Sequence, residues 1–227
     1  VILVNFSDQL LQTTPANWYE KVFSAVDGVK SGVNFYKDNT HSKLTIAPVA
    51  HTQYGNSTPG VVMVTLEATP HPNYGGTYTY AQETAWLNAA LAQAASYVDF
   101  ASLDTNQDGY LTPSEAVIYF IPAGYERSGT TKTPNVWAHA WGDWSVGPHV
   151  MAGTKILSNW AMNGELNGFD RQHPIGVICH EMGHQICALP DLYDTSYTNY
   201  GLGAFTLMAS GSWGAVTGED SGATPVS

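Results

Sequence analysis

Cysteine is nearly absent: the 227 residues contain two, Cys179 and Cys187. Within one helix these positions would stand about 12 Å apart at 1.5 Å per residue, beyond the roughly 7 Å that a disulfide spans. Two buried free thiols are therefore expected, and cysteine usage leaves the redox compartment unmarked. Basic residues are scarce as well. Eight Lys and Arg against 19 Asp and Glu give a net charge of −11, which argues against nucleic acid or an anionic membrane as a partner through bulk electrostatics. No run approaches the ~20 apolar residues of a transmembrane helix, and no repeat, low-complexity tract or Pro/Ser linker divides the chain. With 44% hydrophobic and 12% charged residues, the chain suffices for one domain with a sizeable core.

Against this background one stretch stands out, His180-Glu181-Met182-Gly183-His184, set in the apolar run from Gly176 to Ile186. On a helix, residues four apart stand one turn above each other on one face. Two imidazoles so placed can grip one Zn²⁺ and leave positions for a third ligand and a water. Glu181, directly after the first imidazole, is placed to take a proton from that water as general base. The bland reading is two core or solvated histidines, since the five-residue pattern also arises by chance. Downstream, Asp191 and Asp194 offer carboxylates soon after the helix turns, and Met208 lies in a segment that suggests a hydrophobic turn beneath the metal.

A second pattern runs from Asp104 to Glu115. Asp104, Asn106, Asp108, Gly109 and Glu115 match the 12-residue calcium loop position by position, with Tyr110 supplying a carbonyl and Thr112 acting through water. The alternative is an empty polar loop. Ala116 to Ile121 reads as a strand rather than a second helix, so a structural Ca²⁺ is expected rather than a regulatory switch.

The remaining chain reads as alternating strands and helices. Strands are expected at Val1–Phe6, Lys43–Ala47 and Val61–Leu66, with helices after an Asn17 cap to about Gly28, over Val33–Asp38 and over Ala81–Phe100. His71 to Gly76 reads as a loop, and Pro174 falls near the first turn of the active-site helix, where proline is tolerated. His139 and His149 are more simply hydrogen-bonded core or surface residues than ligands. Trp137 to Trp144 is the expected upper rim, an edge strand that pairs with extended peptide.

Taken with Val1–Gln9, Tyr36–Ile46 and the segments from Ala123 to Glu126 and Trp137 to His139, these motifs resemble the immune inhibitor A family of secreted bacterial metalloproteases, a metzincin-like branch of the zincins. The resemblance covers nearly the whole chain. It implies an α/β (α+β) zincin fold: a twisted, mostly parallel sheet with the active-site helix in an upper subdomain (about 1–184), and a small irregular lower subdomain (about 185–227). It also implies a secreted zinc endopeptidase acting on protein or peptide substrates, with Zn²⁺ on His180, His184 and Asp191, Glu181 as base and Met208 in the supporting turn. One departure is notable. The family pattern places its acidic ligand six residues after the second His, where this chain has Pro190; Asp191 lies seven on, and Cys187-Ala188 stands where a turn glycine is usual. Asp191 keeps the family's Leu-Pro-Asp-Leu-Tyr-Asp context, with Asp194 as fallback.

The opening strand without a signal peptide reads as a mature or trimmed catalytic domain, and the chain is expected to be incomplete after Ser227. Two rival readings remain. One is a zincin with a later glutamate ligand, Glu219. The other is a catalytically idle, calcium-stabilised binding module. Tyr193 is either an oxyanion stabiliser or a packing residue.

Overall fold

The computed structural model describes residues 1–73, 79–143, 148–196, 198–215 and 221–226. Tyr74 to Gly76, Trp144 and Glu219, all named above, lie outside the described residues. Among the described residues the first half contains β1 (Ile2–Phe6), α1 (Pro15–Phe23), α2 (Gly32–Asn39), β2 (Val62–Leu66), α3 (Tyr80–Ala94) and β3 (Tyr110–Leu111). There follow β4 (Tyr119–Pro122), β5 (Tyr125–Glu126), β6 (Asn135–Val136), β7 (His139–Gly142), β8 (Met151–Ala152), β9 (Lys155–Leu157), β10 (Asn159–Met162) and α4 (Ile175–Cys187).

Five strands make the main sheet, in the order β2-β1-β4-β10-β7. Four run parallel, and β7 lies antiparallel to β10 at one edge. The architecture is thus mixed α/β with a mostly parallel sheet. Both faces are covered, so β1 is buried at every position and reads as an unbroken apolar run. Side chains divide by parity along each strand. Val4, Phe6, Phe120, Trp160 and Met162 pack with Trp86, Leu87 and Leu91 of α3. Leu3, Tyr119, Ile121 and Ala161 face the other way, onto Ile178 and Met182 of α4 together with Trp18 and Tyr36.

Several boundaries differ from expectation. Thr14, not Asn17, caps α1; Asn17 is the third helical residue and closes a capping box back to Thr14. Helix α3 ends at Ala94 rather than Phe100, because Asp99 caps a separate 3₁₀ turn at Phe100–Leu103. Lys43–Ala47 is irregular, not a strand. The free edge of β2 is taken by side-chain amides: Gln53 exchanges two hydrogen bonds with the Met63 backbone, and Gln93 does the same with Thr65. Two glutamines therefore stand in for a neighbouring strand and blunt the edge. Both cysteines are free, but Cys187 is exposed at the end of α4 while Cys179 is buried.

The opposite edge, β7, is clamped from behind. His139 Nδ1 lies 2.8 Å from the Trp137 carbonyl and Nε2 lies 3.0 Å from Glu83 Oε1, which also accepts from Trp160 Nε1. Both ring nitrogens face acceptors, an arrangement that favours the doubly protonated ring. Burial opposes that charge, yet the Glu83 carboxylate and the nearby Glu181 lift the pKa above the usual histidine value. His139 is accordingly the hydrogen-bonded core residue anticipated.

Helix α4 starts after Pro174, whose own side chain gives no cap, and ends at Ala188 with φ 52°. This left-handed turn ordinarily belongs to glycine. In this chain the helix therefore turns at an alanine, three residues before Asp191.

Two outcomes follow. Ala188→Gly relieves a left-handed Cβ, about 1–2 kcal/mol, partly offset by glycine's unfolded-state entropy. A net gain of roughly 0.5–1 kcal/mol, read in metal-free buffer as a melting-temperature rise of about 1–4 °C, is expected. For His139 the folded pKa is raised, so its stabilising contribution is full below the unfolded value near 6.5 and is lost as pH rises through the folded value. Urea unfolding of wild type against His139→Gln should therefore show the widest gap at acid pH, narrowing as the solution becomes alkaline.

Candidate active site

The segment from Thr206 to Trp213 lies unusually close to α4. A Cβ on Gly176 would fall 1.8 Å from the Ser212 carbonyl oxygen, and one on Gly183 would fall 2.9 Å from Met208 Sδ. These glycines, seven apart on one helix face, let the Met208 segment press against the turn carrying both histidines. Met208 itself is buried. Its neighbours do the fastening: the Leu207 carbonyl accepts from His180 Nδ1 at 2.9 Å, and the Met208 carbonyl accepts from Leu192 N at 2.7 Å.

His184 Nδ1 in turn donates to the Leu189 carbonyl at 2.6 Å. With each Nδ1–H spent on a carbonyl, each Nε2 of the neutral ring is a bare lone pair. The two Nε2 atoms stand 3.1 Å apart. Asp191 Oδ1 stands 3.1 Å from one and 3.2 Å from the other, yet it is buried and has no hydrogen-bond partner. Three lone-pair donors therefore converge on one point. A four-coordinate ion at about 2.0–2.1 Å from each ligand needs ligand atoms roughly 3.3 Å apart, so these residues fit a zinc-sized cation.

Glu181 completes the cluster, its carboxylate lying within 4.8 Å of the ligand atoms of His180 and His184. It is 5% exposed. Burial raises its pKa to about 7, against the opposing pull of His180, His184 and His139. Asp194, the fallback, points elsewhere. Its two oxygens accept from the backbone and side chains of Ser196, Thr198 and Asn199, tying off the loop that follows. Tyr193 donates its hydroxyl to Asp191 Oδ2 at 3.1 Å.

Two concavities meet at Glu181. One of about 560 Å³ runs between Trp137–Ala140, at the β7 edge, and residues 188–191. The other, of about 300 Å³, is walled by Trp137, Val177, Tyr200, Ala209, Ser212 and Trp213. Trp137, His180, Glu181 and Tyr193 belong to both. His149 is not part of either; it pairs with Asp143 at 2.8 Å.

The Asp104–Glu115 loop curls as its sequence suggests. Gly109 takes φ 90°, Asp104 accepts from the N–H groups of Asp108 and Gly109, and Asp108 accepts from Tyr110 N. Its end carboxylates have protein partners, however. Lys155 Nζ lies 2.7 Å from Asp104 Oδ2, and Glu115 accepts from the backbone N–H groups of Thr105, Asn106 and Thr112. Asn106 Oδ1 receives Asp108 N. Lys155, 51 residues from Asp104, had no local signal in the sequence. The same holds for the carbonyls of Leu189 and Leu207, because backbone acceptors carry no residue signature.

The chain is 30% identical over 219 residues to immune inhibitor A of Bacillus thuringiensis subsp. alesti, which covers 87% of this chain and 29% of that protein. It is 35% identical over 111 residues to the pre-pro-metalloprotease PrtV of Vibrio cholerae serotype O1, 45% of this chain and 12% of that one. The chain thus spans well under half the length of these curated relatives. The model of the immune inhibitor A peptidase M6 catalytic domain matches residues 81–227, a stretch that holds the whole cluster just described, and the chain belongs to that family.

Proposed function

We propose that this chain is a zinc endopeptidase domain cutting extended polypeptide in the cleft beside β7. The observation that carries the reading is the convergence of His180 Nε2, His184 Nε2 and Asp191 Oδ1 on one point, with Oδ1 buried and otherwise unpartnered. A cation there satisfies all three. When bound, zinc supplies Lewis acidity, polarising a carbonyl and acidifying a water.

The chain's own residues do the rest. Glu181, buried and poised near neutrality, takes the proton as a water attacks the peptide carbonyl and returns it to the leaving nitrogen. The edge of β7 offers backbone groups to an extended substrate by strand addition, and Trp137 flanks both concavities. Residues after about 184 form the lower wall and earlier ones the upper. Among the described residues no helix is long and apolar enough to cross a membrane, and the family relatives include one named as a pre-pro-metalloprotease. Both favour action on extracellular proteins.

Calcium is proposed separately, as a structural ion in the Asp104–Glu115 loop. This rests on the loop's sequence and its internal hydrogen bonds, and it requires Asp104 to exchange Lys155 for the ion. The idle-module alternative keeps the fold and the metals without turnover.

Three outcomes are expected. Glu181→Gln should lower peptide hydrolysis by about 10²–10⁴-fold with zinc stoichiometry unchanged; a wild type with no hydrolysis to lose would favour the idle module. Asp191→Asn should weaken zinc binding while Asp194→Asn leaves it intact, measured by chelator competition. Adding calcium should raise the melting temperature of wild type but not of Glu115→Gln, and an unresponsive wild type would remove calcium from the account.

A further inference from the structure

Each of the two histidines is held by a hydrogen bond on the side away from the ligand point, His180 by the Leu207 carbonyl and His184 by the Leu189 carbonyl. Asp191 has the equivalent. Its Oδ1 faces the imidazoles while Oδ2 receives the Tyr193 hydroxyl at 3.1 Å. We propose that Tyr193 is the positioning residue that fixes Asp191 for the metal, rather than a stabiliser of the substrate oxyanion or a packing residue. The proposal rests on the zinc reading above.

The need for such a residue follows from where Asp191 sits. His180 and His184 ride on α4, whose backbone fixes their directions. Asp191 lies in an irregular stretch beyond the helix, and a carboxylate turns easily about its terminal torsion, whose preferences are broad. Unanchored, it would present either oxygen, or both. Tyr193, two residues on along that stretch, reaches back and occupies Oδ2, leaving Oδ1 alone toward the imidazoles. A hydroxyl committed to Oδ2 is not directed at a reacting carbonyl, which separates this role from oxyanion stabilisation. Outer hydrogen bonds of this kind typically change metal affinity by about 10–100-fold when removed.

The test is Tyr193→Phe in the full chain, read three ways: zinc affinity by competition with a chelator, melting in excess chelator, and kcat at saturating zinc. The expected result is zinc affinity lower by about 10–100-fold with chelator-state melting unchanged. Unchanged affinity with a fallen kcat would overturn the proposal in favour of the oxyanion role. A fall in chelator-state melting with affinity intact would overturn it in favour of packing. If wild type binds zinc no better than His180→Ala, the zinc reading itself fails, an outcome distinguishable from the other two by the wild-type titration alone.

Discussion

The geometry of the His180, His184 and Asp191 cluster depends on how near one stretch of backbone can come to one helix. Gly176 and Gly183 leave α4 without side chains where the Ser212 carbonyl and the Met208 sulfur press in. That approach brings the Leu207 carbonyl within reach of His180 and the Met208 carbonyl within reach of Leu192, beside Asp191. A methyl group at either glycine would push the segment away, and the orientation of one imidazole and the path of the loop bearing the carboxylate would both be lost. The two imidazoles are thus placed by packing, and a carbonyl at each Nδ1 leaves the Nε2 of the neutral ring as a lone pair.

The acidity of the chain divides by role. Several buried carboxylates are engaged by the protein's own donors. Glu126 is wholly buried, which raises its pKa, and it accepts from Ser128, from Ala138 N and from Gly164 N. Glu83 holds His139 and Trp160. Ala138 and His139 begin the β7 edge, so two buried carboxylates brace the strand that rims the cleft. An edge strand has a partner on one side alone, and these anchors hold its backbone from inside the core.

Much of the fold was legible because the parallel strands are buried on both faces and stand out as apolar runs; β1 and β2 fell where expected. The errors came where a local pattern had no partner to confirm it. Lys43–Ala47 alternates as a strand should, yet it is irregular and pairs with no strand among the described residues. Asp99 ended α3 early by capping its own turn. In the site, His180, Glu181 and His184 were legible because one helical period places them together. Asp191 came from context rather than spacing, since the turn that delivers it falls at Ala188, a residue that gives no advance sign of a left-handed backbone.

By itself the sequence determined the chemistry available: two imidazoles one turn apart on a helix with a carboxylate directly after the first, an oxygen-rich loop, a low count of cations and no apolar span. Helical and strand periodicities are local, so these features survive without knowledge of the rest. Only the tertiary structure decided which downstream aspartate joins the imidazoles. It left Asp194 to its own loop and brought Asp191 within 3.1 Å of His180. It also decided that Lys155 would meet Asp104 and that Tyr193 would meet Asp191. Those choices rest on loop paths and close backbone approaches, which depend on contacts between segments far apart in the chain.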